Sequence, residues 1–226
     1  MSDLDIGSLV CYKNNQFIAF NKPSGIAVQS KSDGDFHHLA NAYAKRNLFL
    51  VHRIDQPVSG LILFARNKNA SALLGDQFRS GTVGRIYHAI VSQRPQSDRG
   101  LLSHHLIHKK NSNKSIVSDT ESEGSKPCQL EYHYLASSDS YHLLEIRLLT
   151  GRSHQIRAQL ATAGMPVKGD VKYGARRSNK DRSIHLHATS LTIEHPVSQE
   201  RIEISAPWPD EVLWNYFAQH MTKSKH

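Results

Sequence analysis

One short segment of the sequence places basic and acidic side chains beside residues that constrain the backbone. It reads HRIDQPVSG over residues 52–60, and it contains Arg53 and Asp55 followed by Pro57 and Gly60. A carboxylate held on a constrained loop can act as a nucleophile or as a base. The same residue types also occur in ordinary surface turns, so the segment alone leaves both interpretations open.

A second segment, TGRSHQIRAQLATAGMPVKGDVKYG, covers residues 150–174. It predicts a short helix over 153–163, with Ser153 as its N-terminal cap. A helix start that presents Arg152 and backbone N–H groups suits an anionic ligand, and Arg157 could equally pair with a buried carboxylate and keep it ionised. A surface helix with exposed basic residues fits the segment as well.

The elements that must position these two segments are mostly strands. Apolar runs and alternating patterns predict strands over 61–65, 86–91, 130–134, 144–148, 184–194 and 201–205. Helices are expected over 69–80, with Asn69 as the cap, and over 209–219. Polar composition predicts loops over 93–99 and 109–126. The pattern favours an α+β fold with a large antiparallel or mixed sheet and few helices.

The composition fits a soluble protein with a polyanionic partner. The chain has 226 residues and a formal net charge of +8, which suits nucleic acid, although many basic proteins do not bind it. Cys11 and Cys128 form neither a metal-ligand spacing nor a disulfide framework. The N-terminus lacks the pattern of a signal peptide, and no apolar run is long enough to cross a membrane. We therefore expect a cytoplasmic protein without membrane contact.

Four motifs, in order, resemble those of the RluA-type pseudouridine synthases. HRIDQPVSGLILFAR is similar to the family's His-Arg-Leu-Asp segment with its Ser-Gly and apolar strand, and GRSHQIR followed by KGDVKYG is similar to the family's second segment. NKPSG at 21–25 and LHATSLTIEHP at 186–196 match an early turn and a late strand. The resemblance covers about residues 15–210, which is nearly the whole chain.

The resemblance implies both a fold and a reaction. The fold would be a mixed, mostly antiparallel sheet with a central cleft and few flanking helices, forming a single catalytic domain over 1–226 with no accessory N-terminal RNA-binding module. The reaction would convert a uridine in RNA to pseudouridine after the nucleotide is flipped out. It would need neither a metal nor a small-molecule cofactor.

The resemblance also implies roles for four residues. Asp55 matches the essential aspartate, and Arg157 matches the basic residue that pairs with that aspartate and keeps it ionised. Tyr87, in RIYHAIV, matches a tyrosine that lies against the flipped base. Arg53 matches the residue that fills the gap left by the flipped nucleotide.

Basic residues outside the catalytic set are candidates for contacts with RNA phosphates. They are Arg152, Lys168, Lys172, Arg176 and Arg177, although a solvated basic loop would have the same composition. The fifteen histidines show no HExxH motif, so we expect no metal site. His52 and His154 are expected to orient and pack rather than to transfer protons. Nothing in the sequence suggests an exposed apolar interface, so we expect a monomer.

Three alternatives remain beside an enzyme that acts on ribosomal RNA. The same chemistry could act on transfer RNA. The chain could instead be an RNA-binding ribosome-assembly factor with little turnover, although such a factor need not keep Asp55, Tyr87 and Arg157 together. A metal-dependent hydrolase is the third, and the lack of a ligand cluster argues against it.

Overall fold

The protein is described here by a computed structural model that covers residues 4–30 and 34–223. The chain forms two compact units. The first comprises the chain up to Arg85 together with His187–Trp208, and the second comprises Ile86–Leu186 together with the chain from Pro209 onward. The prediction of a single catalytic domain over 1–226 stays a prediction.

The first unit is built on a mixed sheet. Its strands are β1 (Val10–Lys13), β2 (Phe17–Lys22), β3 (Phe49–Leu50), β4 (Ser59–Ala65), β10 (Leu186–Glu194) and β11 (Arg201–Ser205). The order is β1-β2-β4-β10, with β3 paired to β4 and β11 paired to β10. The β4–β10 pairing is parallel, and the other pairings of this unit are antiparallel. Its helices are α1 (Phe36–Ala44) and α2 (Lys68–Ser80).

Strand β4 forms the centre of the first unit. All seven of its residues are buried, as the continuous apolar run predicts. Helix α2 packs Ala70 and Leu74 into the same core. The predicted cap of this helix was wrong: Asn67, and not Asn69, accepts a hydrogen bond from the N–H of Ala70 at 2.8 Å. Either asparagine suits a helix start by type, so local sequence does not separate them.

The second unit contains an antiparallel sheet in the order β5-β9-β8-β6-β7. Its strands are β5 (Gly84–Val91), β6 (Arg99–Lys109), β7 (Lys114–Ser118), β8 (Lys126–Ser137) and β9 (His142–Leu148). Its helices are α3 (Gln155–Thr162) and α4 (Val212–Lys223), so the C-terminal helix begins later than predicted. Over residues 4–30 and 34–223, the two units have the predicted α+β composition, with mixed sheet pairing and four α-helices.

The loop predicted over 109–126 is partly wrong. It contains strand β7, which pairs with β6 from His105↔Ser118 to Lys109↔Lys114. The sequence pattern did not predict this strand, because its one fully buried residue is the polar Ser115. A buried serine is polar in the sequence, so the apolar alternation that indicates a strand is missing here.

Within the described ranges, no helix is long and apolar enough to cross a membrane.

Candidate active site

Asp55 lies in the first unit, on the loop that leads into β4. Its side chain is half-buried, and the neighbouring Arg53 is exposed. The N–H of Val58 donates to the carbonyl oxygen of Asp55 at 3.1 Å, which closes a tight turn. Gln56 then joins the loop to the turn at residues 21–25, because its carbonyl accepts from the N–H of Gly25 at 2.8 Å and its amide donates to the Gly25 carbonyl at 2.9 Å. The backbone is therefore fixed at Asp55 and at the residue that follows it.

Lys22 is a residue of this site to which the sequence analysis gave no role. Its side chain is fully buried, and its ammonium donates to the carbonyl oxygens of Pro23 (2.7 Å), Ile26 (2.9 Å) and Gln56 (3.4 Å). Burial lowers the pKa of Lys22 to about 7, and the Asp55 carboxylate opposes that shift. The NKPSG motif contains this lysine, but its role could not be inferred from the local sequence, because its partner Gln56 lies far along the chain.

The Ser-Gly pair after Asp55 is explained by the contact between β4 and β10. Gly60 has a φ of +110°, and a Cβ at this position would lie 2.3 Å from the carbonyl oxygen of Ala188. Only glycine fits there. The adjacent Ser59 hydroxyl and His187 Nδ1 are 2.9 Å apart and buried. This close strand contact gives the Asp55 loop a rigid base.

His52 has the packing role predicted for it. Its Nε2 accepts from the N–H of Leu63 at 3.1 Å, and its ring stacks on Phe78 with centroids 4.5 Å apart. Burial, and then the charge of Arg85, lowers the pKa of His52 to about 3. The ring is therefore neutral near pH 7 and serves as an acceptor. Residues 4–30 and 34–223 contain no group of three or more His, Cys, Asp or Glu placed to share a metal ion.

In the second unit, Arg157 is clamped by a buried carboxylate. Its Nε and Nη2 donate to the two oxygens of Asp170 at 2.7 and 2.9 Å, and both side chains are almost completely buried. This two-point geometry fixes the plane of the guanidinium. The Gly-Asp of KGDVKYG was the signal for Asp170, which the sequence analysis did not name. The expected ion pair between Arg157 and Asp55 stays a prediction.

Tyr173, from the Tyr-Gly of the same motif, also contacts Arg157. The guanidinium carbon lies 5.0 Å from the centre of the Tyr173 ring, a cation–π distance. The hydroxyl lies 2.7 Å from the N–H of Ser115, which donates to it, and 2.9 Å from His154 Nδ1. Burial raises the pKa of Tyr173, so the phenol stays protonated. Asp170 and Tyr173 thus hold the same arginine from one short segment.

The start of helix α3 differs from the prediction. The helix begins at Gln155, and Ser153 is not its cap: the preceding residue, His154, has a left-handed backbone with φ 55° and makes no capping hydrogen bond. Gln155 instead reaches back, and its side-chain oxygen accepts from the Thr150 hydroxyl (2.9 Å) and from the N–H of Arg152 (3.0 Å). Both donors precede the helix, so this side chain fixes the loop before α3 rather than capping the N–H groups of its first turn.

Tyr87 lies on β5, where it pairs with Ile146 of β9, and its side chain is half-buried. The predicted strand therefore exists. The base contact expected for Tyr87 stays a prediction.

Four of the five proposed RNA-contact residues are exposed: Arg152, Lys172, Arg176 and Arg177. Lys168 differs, because its ammonium donates to the Asn179 side chain at 2.8 Å and lies 5.6 Å from the Tyr141 ring centre. Burial lowers the pKa of Lys168. Lys168 therefore helps to hold the basic segment that contains Arg176 and Arg177.

Known proteins resemble this chain in sequence and in fold. A family model described as RNA pseudouridylate synthase matches residues 16–162. The Bacillus subtilis protein "Uncharacterized RNA pseudouridine synthase YhcT" is 32% identical, with 90% of this chain and 69% of that protein covered. "Ribosomal large subunit pseudouridine synthase C" of Vibrio parahaemolyticus is 33% identical, with 90% of this chain and 66% of that protein covered.

The fold similarity extends to solved structures. The structure titled "Human RNA Pseudouridylate Synthase Domain Containing 4" has a TM-score of 0.78 at 21% identity and covers 96% of this chain and 94% of its own. "Human RNA Pseudouridylate Synthase Domain Containing 1" has a TM-score of 0.77 at 22% identity and covers 98% of each chain. The pseudouridine synthase fold expected from the motifs is therefore confirmed, and the chain belongs to the RluA-type RNA pseudouridine synthases.

Proposed function

We propose that this protein isomerises a uridine at a defined site in ribosomal RNA, with Asp55 as the catalytic carboxylate. The observation that carries the proposal is the loop of Asp55, which Lys22 and Gln56 fix at the entry of a fully buried strand. Catalysis by a carboxylate requires such a fixed position relative to the substrate. Relatives named for the ribosomal large subunit support ribosomal RNA as the substrate.

The proposed chemistry needs one carboxylate beside the ribose. Asp55 would attack the sugar or abstract a proton from it while the bond between C1′ and N1 of the uracil breaks. The detached base rotates, and its C5 then bonds to the same C1′. The hydrogen on C5 leaves as a proton and N1 gains a proton, so that the product is an isomer of the substrate. No oxidant or co-reactant enters this balance.

Three further residues have proposed roles in the reaction. Tyr87 would lie against the flipped uracil, and its phenol could help to remove the C5 proton. Arg157 would keep Asp55 ionised, and its orientation by Asp170 suits that role. Arg53 would fill the gap in the RNA and so offset part of the energy cost of nucleotide flipping, which is on the order of a few kcal/mol.

RNA affinity is proposed to come from Arg152, Lys168, Lys172, Arg176 and Arg177, within a chain of net charge +8. Contacts of this kind position a phosphate backbone and weaken as the salt concentration rises. The exposure of four of these side chains supports the proposal. The protein is proposed to act as a monomer.

The decisive experiment incubates the protein with unmodified ribosomal and transfer RNA transcripts in the presence of a chelator. New pseudouridines are mapped as carbodiimide-dependent stops in reverse transcription. We expect a stop at a defined site in ribosomal RNA with the wild type and with Asp139→Ala, which removes an exposed carboxylate. Asp55→Ala should bind RNA but give no stop.

Other outcomes of this experiment separate the alternatives. Stops in transfer RNA alone would replace the proposed substrate but keep the chemistry. Stops that persist in Asp55→Ala would refute the role of Asp55. RNA binding without any stop would favour an assembly factor, and stops that disappear only in chelator would indicate a required metal.

The role of Arg53 has a separate test. If its side chain fills the gap in a helix, Arg53→Ala should lose more activity on a structured RNA than on an unstructured RNA with the same target site. Single-turnover rates on the two RNAs measure this difference. Equal losses on both would contradict the role.

A further inference from the structure

The hairpin of β6 and β7 carries a basic tip. Lys109 pairs with Lys114 at the end of the ladder, and the turn between them continues through Lys110 to Asn113, which has a left-handed backbone. Lys109, Lys110 and Lys114 are all exposed. An exposed turn with three ammonium groups suits a phosphate backbone.

The residue next to this tip is anchored in the interior of the second unit. Ser115 follows Lys114 directly and is only 2% exposed. Its N–H donates to the Tyr173 hydroxyl at 2.7 Å, and its own hydroxyl donates to the Ser153 carbonyl at 2.6 Å. His108 Nδ1, on the opposite strand, lies 3.1 Å from the same serine hydroxyl. The base of the hairpin is thus joined to Tyr173 and to the residues that precede α3.

Tyr173 connects this anchor to Arg157. Its hydroxyl accepts from the N–H of Ser115 and lies 2.9 Å from His154 Nδ1, so two contacts fix the orientation of the phenol. The ring lies 5.0 Å from the Arg157 guanidinium and 5.4 Å from the Lys114 ammonium. One aromatic ring therefore contacts both a cation of the hairpin and the proposed catalytic arginine.

We infer that Tyr173 is a positioning residue for Arg157 and that Ser115 links Tyr173 to the β6–β7 hairpin. Binding of RNA by the hairpin and the position of the Arg157 guanidinium are therefore coupled. This inference rests on the proposed function. An RNA phosphate that binds Lys114 competes with the Tyr173 ring for the ammonium. Ser115 keeps the phenol in place during that exchange, so the guanidinium stays oriented by Asp170 and by the ring.

The first test removes only the Tyr173 hydroxyl. In Tyr173→Phe, the contacts of the hydroxyl with the Ser115 N–H and with His154 Nδ1 are lost, and the ring is free to shift. We expect the single-turnover rate at saturating enzyme to fall about tenfold or more, while the RNA dissociation constant changes less than about twofold. A role limited to stability would lower the melting temperature without separating these two quantities.

A matched control is available in Tyr134→Phe. The Tyr134 ring also lies under an arginine, with the Arg94 guanidinium carbon at 4.4 Å, but these residues have no proposed part in the reaction. We expect its rate to equal that of the wild type. Equal rates for Tyr173→Phe and Tyr134→Phe would overturn the positioning role.

The second test addresses the link to the hairpin. Ser115→Ala should lower the rate in the same direction, whereas Ser118→Ala should not, because the Ser118 hydroxyl bonds to the nearby Thr120 rather than to the residues around Tyr173. In the double variant Ser115→Ala/Tyr173→Phe, the two losses should be less than additive. The Ser115 hydroxyl acts by fixing the backbone N–H that donates to the Tyr173 hydroxyl, and Tyr173→Phe already removes that acceptor. Full additivity would overturn the coupling.

The wild type and Asp55→Ala are measured in parallel with these variants. Pseudouridine in the wild type and none in Asp55→Ala would uphold the proposed function. In that case, equal rates for Tyr173→Phe and Tyr134→Phe, or additive losses in the double variant, would overturn only the inference about Tyr173 and Ser115. No pseudouridine from the wild type in any transcript would overturn both.

Discussion

The substitution Asp170→Asn tests whether the buried clamp on Arg157 matters as much as its geometry implies. Asp170 accepts from Nε and Nη2 of Arg157 at 2.7 and 2.9 Å, with side-chain exposures of 6% for the arginine and 1% for the aspartate. Asparagine keeps the shape but has a single acceptor oxygen. Its NH₂ group would face one of the two arginine donors, and the charge that balances the guanidinium would be lost.

The expected loss follows from the burial of the pair. Removing one partner of a buried ion pair costs about 3–5 kcal/mol, whereas an exposed pair is worth about 0–1 kcal/mol. With a urea slope of about 2.5 kcal/mol per molar, the midpoint of unfolding should fall by about 1–2 M. The single-turnover rate of pseudouridine formation should also fall, because the guanidinium loses its fixed plane.

The matched control makes the same change in an exposed pair. Arg94 and Asp98 lie 3.2 Å apart in the same unit, with side-chain exposures of 57% and 67%. Asp98→Asn should shift the urea midpoint by less than about 0.4 M. Similar midpoints for the two variants would refute the reasoning, because burial would then have no bearing on the value of the ion pair.

Two further predictions concern the first unit. The pKa of Lys22 is lowered to about 7 in the folded protein, whereas the unfolded side chain titrates near 10.4. The unfolded state therefore binds more protons between these two pH values. The free energy of unfolding should rise with pH across that window. Lys22→Met lacks this contribution, so the difference in unfolding free energy between wild type and variant should change from pH 7 to 10. A constant difference would argue against the lowered pKa of Lys22. Gly60→Ala should cost more than about 4 kcal/mol, because its Cβ would meet the Ala188 backbone, while Gly174→Ala, with no atom near its Cβ, should cost only the left-handed strain of about 1–2 kcal/mol. Thermal unfolding compares the two glycine variants, and equal losses would contradict the close contact.

The sequence predicted the elements whose signals are local. The apolar run at β4 and the apolar alternation at β5 and β9 identify strands directly, and the buried packing of His52 also agrees with the prediction. The motifs predicted the family and the fold, which the relatives and the solved structures confirm. The roles of Asp55, Tyr87, Arg157 and Arg53 in the reaction stay predictions.

The features that were missed depend on partners far apart in the chain. Lys22 acts through the carbonyl of Gln56, and Asp170 acts through Arg157, so neither role is visible in the pattern around the residue itself. Strand β7 was missed because Ser115 is buried through hydrogen bonds rather than through apolar contacts. The cap of α3 was misassigned because the loop before the helix is fixed by the Gln155 side chain, and the left-handed His154, not Ser153, precedes the first helical residue.

The parallel contact of β4 with β10 also bears on how the chain acquires its structure during synthesis. Gly60 must meet Ala188, and the residues that separate them include most of the second unit. Contacts between residues so distant in sequence form slowly, since a long loop has to close first. Until β10 has emerged from the ribosome, Ser59 and Gly60 at the start of β4 lack their parallel partner, although β3 pairs with the other end of the strand. An incomplete sheet around a strand made almost entirely of apolar residues is prone to aggregate. The nascent chain should therefore depend on chaperones until residues 187–208 are translated.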